Sequence, residues 1–112
     1  MFTRTLIAAS LLLTGTAAIS TEASARTAWQ RHHPARTQIN HRIARQQVRI
    51  THEVREGDMS RAEARGLRQD LHGIRQQERA YARSNDNNGH LTRTQARDLN
   101  QQLNQTGGQI RN

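Results

Sequence analysis

The side chains best equipped for chemistry in this sequence are arginines. All 17 Lys/Arg positions of the 112-residue chain are arginine, and the formal net charge is +8. At 100° per residue, Arg61, Arg65, Arg68, Arg75, Arg79 and Arg83 fall within about 80° of one another on a helix, with His72 among them. Such a stripe would run roughly 33 Å at a rise of 1.5 Å per residue. Guanidinium groups match carboxylate and phosphate oxygens two at a time. Like charges at i,i+4 weaken an isolated helix by a few tenths of a kcal/mol per pair, a cost that an anionic partner would relieve. The residue types point to anion binding, set against the plainer expectation that a charge run is a solvated face.

A second set of oxygen-bearing residues begins at Ser84. Counting Gly89 as position 6 of a calcium loop puts Ser84, Asp86, Asn88, Thr92 and Gln95 at side-chain ligand positions, with the His90 carbonyl at position 7. The outline resembles an EF-hand but departs from it at both ends. Ser84 stands where an acid opens the loop, and Gln95 where a bidentate Glu closes it. A degenerate calcium-binding module is therefore an alternative reading of these residues, which serve equally well as a helix cap with no metal.

Other chemistry finds little support. His32, His33, His41, His52, His72 and His90 include no i,i+4 pair with a nearby acid, as a helical zinc site requires. No Ser, Asp or Glu sits in a recognisable catalytic frame, so an enzyme is not expected, and neither is a cofactor. The absence of cysteine excludes disulfides, thiol chemistry and thiolate metal sites. A pI near 11.7 suggests nucleic acid first. Trp29 and Tyr81 are the only aromatics after residue 25, too few for a base-stacking platform, and no specific nucleic-acid partner is expected.

The elements that must position these residues announce themselves through a repeat. Gly57-Asp58-Met59-Ser60-Arg61-Ala62-Glu63-Ala64-Arg65-Gly66-Leu67 returns as Gly89-His90-Leu91-Thr92-Arg93-Thr94-Gln95-Ala96-Arg97-Asp98-Leu99. Ser60 and Thr92 are good N-caps, and Glu63 and Gln95, three residues on, can close capping boxes. Met59 and Leu91 stand where a hydrophobic staple would pack on Ala64 and Ala96. Gly57 and Gly89 suit a sharp entry with positive φ. Two copies are fewer than the three or so that a helical array needs, so the repeat marks two helix starts and not a solenoid.

In chain order, residues 1–25 read as a signal peptide: Arg4, an apolar run from Leu6 to Leu13, and cleavage after Ala25 in Ala23-Ser24-Ala25. The run is too short to span a membrane, and no later segment is apolar enough to do so. Export follows as the expectation, to the periplasm or beyond. Residues 26–36 hold the single proline, Pro34, show no periodicity and read as a flexible arm. Residues 37–106 read as the folded part, with helices over about 37–56, 61–83 and 93–105 and a frayed tail over 107–112. Ile39, Ile43, Ile50 and Val54 mark one face of the first helix. Ala64, Leu67, Leu71, Ile74 and Tyr81 form a seam on the second that skips Glu78, and Ala96, Leu99 and Leu103 continue on the third. Short turns predict antiparallel packing, so the fold class is all-α, a small helical hairpin or bundle. Leu, Ile and Val are scarce beyond residue 25, below the roughly 20% at which a highly charged chain begins to look disordered. Folded stability is expected to be marginal, or to depend on self-association or a partner.

With these units in place, the chain resembles a group of small secreted and periplasmic proteins of Gram-negative bacteria to which no activity is attached. They carry a Gln/Arg-rich first helix, here Ile43-Ala44-Arg45-Gln46-Gln47-Val48-Arg49-Ile50, followed by two Gly-x-Leu-Thr-x-x-Glu-type turns. The resemblance covers about residues 39–111 and implies export and a helical architecture. Leu91-Thr92-Arg93-Thr94-Gln95 is similar to the Leu-Thr-x-x-Gln motif of periplasmic helical chaperones, from which Met59-Ser60-Arg61-Ala62-Glu63 departs. That likeness implies binding of unfolded clients through a basic, partly apolar face. The expected partners are therefore anionic envelope components or client proteins, met during envelope stress.

Overall fold

The computed structural model describes residues 26–84 and 88–110, and the signal-peptide reading of 1–25 lies outside the described residues. The described elements are helical throughout: α1 (Ala28–His32), α2 (Pro34–Arg55), α3 (Arg61–Ser84) and α4 (Arg93–Gln109). The all-α expectation holds.

Helix α1 opens on Thr27, whose hydroxyl accepts from Gln30 N at 3.1 Å while Gln30 Oε1 accepts from Thr27 N at 2.9 Å. This is a capping box in the segment read as a flexible arm. Apolar periodicity could not reveal it, because the helix is only five residues long and buries nothing. Helix α2 then starts earlier than expected, with Pro34 in its first turn. A proline there loses no hydrogen bond and arrives with its φ already helical.

Both repeated turns form as the sequence implies. Ser60 Oγ accepts from Glu63 N at 3.1 Å, and Thr92 Oγ1 accepts from Gln95 N at 3.1 Å, with Gln95 Oε1 returning to Thr92 N at 3.0 Å. Gly57 and Gly89 take φ of +81° and +83°. At the end of α2, Gly57 N donates to Val54 O and Asp58 N to Glu53 O, so one left-handed glycine closes a helix and prepares the next.

The three long helices run up, down and up. Arg36 and Thr51 of α2 meet Glu78 and Arg68 of α3, an antiparallel order. Tyr81 and Gln77 of α3 meet Asp98 and Gln102 of α4, again antiparallel. Gln38 and Arg49 reach Asn100 and Ile110, so α2 and α4 are parallel. All three pairs are in contact around one core of Ile39, Ile43, Ile50, Met59, Ala64, Leu67, Leu71, Ile74, Leu99, Leu103 and Ile110.

The seam is more regular than its apolar members suggest. Ile39, Ile43, Gln46, Ile50 and Glu53 are buried at alternating spacings of four and three, as are Leu67, Leu71, Ile74, Glu78 and Ala82, with one step of four at the end. Gln46 and Glu78 occupy the places where the apolar pattern skips, and Glu53 is buried where the pattern expected Val54, which is only partly buried. Gln46 Nε2 donates to Leu103 O at 2.9 Å, and Glu78, 1% exposed, accepts from Arg36 Nε at 2.9 Å and Asn40 Nδ2 at 3.2 Å. A buried carboxylate is tolerable only with such partners.

The C-terminal expectation is corrected. Gly107 and Gly108 do not end the last helix, which continues to Gln109, and Ile110 is buried; residues 111–112 lie outside the described residues. A Cβ at Gly107 would stand 3.0 Å from Gln46 Nε2, so this glycine serves close packing of α4 on α2. Ile110 then anchors the end through burial, and its carbonyl accepts from Arg49 at 3.1 Å.

Candidate functional site

Helix α3 has three longitudinal faces. Its seam enters the core. Asp70 and Glu63 lie on the side away from the arginines, along an open groove that also includes Gly66, Leu67 and Gly108. The six candidate arginines occupy the remaining face: Arg61, Arg65, Arg68, Arg79 and Arg83 are exposed, and Arg75, at the edge of the seam, is half-buried. Among the described residues, none of the six stands within ion-pair distance of a carboxylate. The acids that could neutralise them are either buried, as Glu78 is, or on another side of the helix.

The stripe is not uniform. Arg61, Arg65 and Arg68, with Gln69 and His72, line an open groove whose other wall is Val54 of α2. Val54 is partly buried against the core, so the groove has an apolar floor beneath a cationic rim. Arg68 is held there, its Nη2 donating to Thr51 Oγ1 at 3.0 Å, while Thr51 Oγ1 donates to Gln47 O at 3.1 Å. Arg75, Arg79 and Arg83 continue along α3 outside this groove.

The loop residues read as calcium ligands are engaged differently. Ser84 Oγ donates to Tyr81 O at 2.9 Å, and Thr92 and Gln95 bond to each other's backbone in the capping box. Asn88 takes φ of +54°, and its carbonyl lies 3.3 Å from His33 Nε2; the His90 ring stacks on that of His33 at 4.7 Å. Asp86 lies outside the described residues. Among the described residues, no three His, Asp or Glu side chains converge as a metal site would need.

No known protein family, curated protein or solved structure matches the chain significantly. The site is therefore judged on its own geometry.

Sequence reasoning missed the role of the arginines on α2. Arg36 joins Glu78 to the Gly89 carbonyl, Arg42 Nη1 and Nη2 donate to Asn100 Oδ1 and Asn104 Oδ1 at 2.8 Å each, and Arg49 reaches Ile110 O. Their signal was position: Glu78 keeps the seam's spacing between Ile74 and Tyr81, and so required a cation from a facing helix. Nearby, Tyr81 Oη donates to Asp98 Oδ2 at 2.7 Å. That hydrogen bond, helped by partial burial and by the negative charge of Asp98, raises the Tyr81 hydroxyl above its ordinary value of about 10.

Proposed function

We propose that this is a small basic helical binding protein whose α3 arginine face engages anionic or partly unfolded partners. The observation that carries the reading is that Arg61, Arg65, Arg68, Arg75, Arg79 and Arg83 share one face with no carboxylate paired to them among the described residues. Concentrated like charge without internal neutralisation raises a field that attracts anions and steers their approach. The proposed location is the periplasm or the exterior, following the leader-like residues 1–25, and the proposed setting is envelope stress. No described helix is long and apolar enough to cross a membrane.

Replacing Arg68, Arg75 and Arg79 with Gln tests the reading. Partition onto vesicles containing phosphatidylglycerol should fall by at least about tenfold at low salt, since each arginine near an anionic surface contributes about 1 kcal/mol. Helicity by circular dichroism should be unchanged or higher. Equal partition by variant and parent would end the proposal. The alternative, a calcium module at residues 84–95, has no comparable support, because Thr92 and Gln95 already satisfy the start of α4.

A further inference from the structure

The stripe gives a charge, but the groove at its first half gives a shape. Arg61, Arg65 and Arg68 lie within two turns of α3, and His72 lies one turn further on. Together they rim an open groove closed on its far side by Val54. Two properties of that groove point to the same chemistry. Its rim offers guanidinium donors with no carboxylate partner, and Arg68 is already oriented by Thr51 and so loses less freedom on binding. Its floor is apolar at Val54, along which the methylene stems of the lining arginines can lie. A fully hydrated anion would use the rim and leave the floor in water. An anion carried on an aliphatic chain would use both.

Resting on the proposed anion-binding face, we infer that this groove takes the phosphate headgroup of a single-chain alkyl phosphate amphiphile, with the first methylenes of its chain against Val54. Arg65 and Arg68 clamp the phosphate oxygens, and Arg61 and His72 flank them. The distal arginines, Arg75, Arg79 and Arg83, stand beyond the groove and contribute only to the long-range field. The open groove along Gly66 lacks this combination, since it carries Glu63 and Asp70 on its walls, which would repel the same ligand.

The test follows the ring signals of His72 by NMR in the full chain, so that residues 1–25 contribute equally to every arm. Dodecyl phosphate below its micelle concentration, inorganic phosphate and dodecyl maltoside are titrated in turn at constant ionic strength. Dodecyl phosphate should perturb His72 at a concentration about tenfold lower than either of the others, the phosphate lacking the chain and the maltoside lacking the charge. Arg65→Gln should raise the required dodecyl phosphate concentration by about tenfold, the loss of one charge-assisted hydrogen-bonding group. Arg79→Gln should change it by less than about twofold.

Inorganic phosphate acting as well as dodecyl phosphate would overturn the inference in favour of a bare-anion site, and dodecyl maltoside acting as well would overturn it in favour of a merely apolar groove. Equal losses from Arg65→Gln and Arg79→Gln would overturn it in favour of diffuse charge along the whole stripe. Each of these outcomes leaves the broader anion-binding reading to its own vesicle test, which fails only when the stripe variant binds like the parent.

Discussion

Arg36, Arg42 and Arg49 of α2 and the arginine stripe of α3 are the same residue type in opposite settings. On α2, Arg36, Arg42 and Arg49 each end on an acceptor in a neighbouring helix or loop, and Arg36 makes the salt bridge that keeps Glu78 buried. On α3, among the described residues, Arg68 alone of the stripe hydrogen-bonds to a neighbouring helix, through the hydroxyl of Thr51. The first set ties helices together where apolar residues are few. The second set lies mostly exposed along one face of α3 and, apart from Arg68, makes no side-chain hydrogen bond to the rest of the fold among the described residues. Arginine content alone therefore says nothing about role; what decides it is whether a facing helix supplies an acceptor.

The largest effect should come from breaking that difference at its strongest point. Arg36→Ala leaves the Glu78 carboxylate buried with Asn40 as its remaining partner, and urea unfolding followed by circular dichroism should show a loss of about 3 kcal/mol. Replacing both partners with apolar residues, Arg36→Met with Glu78→Leu, should recover most of the loss, as buried pairs generally do. A smaller effect distinguishes two glycines of the same bundle. Gly107→Ala pushes a methyl toward Gln46 Nε2, which is already committed to Leu103 O, and should destabilise by about 1 kcal/mol where the new side chain finds no room. Gly66→Ala meets nothing within 4 Å and should stabilise α3 by up to about 1 kcal/mol in the same assay. The smallest effect belongs to the stripe: Arg79→Gln should shift stability by less than about 0.5 kcal/mol in either direction. A large loss there would erase the distinction between the two sets.

Much of the fold was legible because the sequence states its punctuation locally. Ser60 with Glu63, Thr92 with Gln95, and the two glycines before them place the starts of α3 and α4 without any tertiary information. The same signal at Thr27 and Gln30 was passed over because Pro34 follows so closely and no apolar face accompanies it. Gly107-Gly108 misled for a related reason. Glycine's low helix propensity is a local fact, whereas the approach of Gln46 and the burial of Ile110 are facts of packing. Glu78 and Gln46 looked like interruptions in apolar seams, since a pattern of hydrophobic residues cannot register a buried polar residue whose partner lies on another helix. For the candidate site, the face shared by the arginines followed from helix geometry alone. Its division into a groove and an exposed remainder did not, because Val54 and Thr51 belong to a different helix.

The central claim is that the arginine face of α3 binds anions. The most direct measurement is the partition of the parent chain and its Arg68, Arg75, Arg79→Gln variant onto phosphatidylglycerol vesicles at low salt, with helicity recorded on the same samples. Partition should fall by at least about tenfold with helicity intact if the arginine face binds anions. Undiminished partition at equal helicity would contradict it.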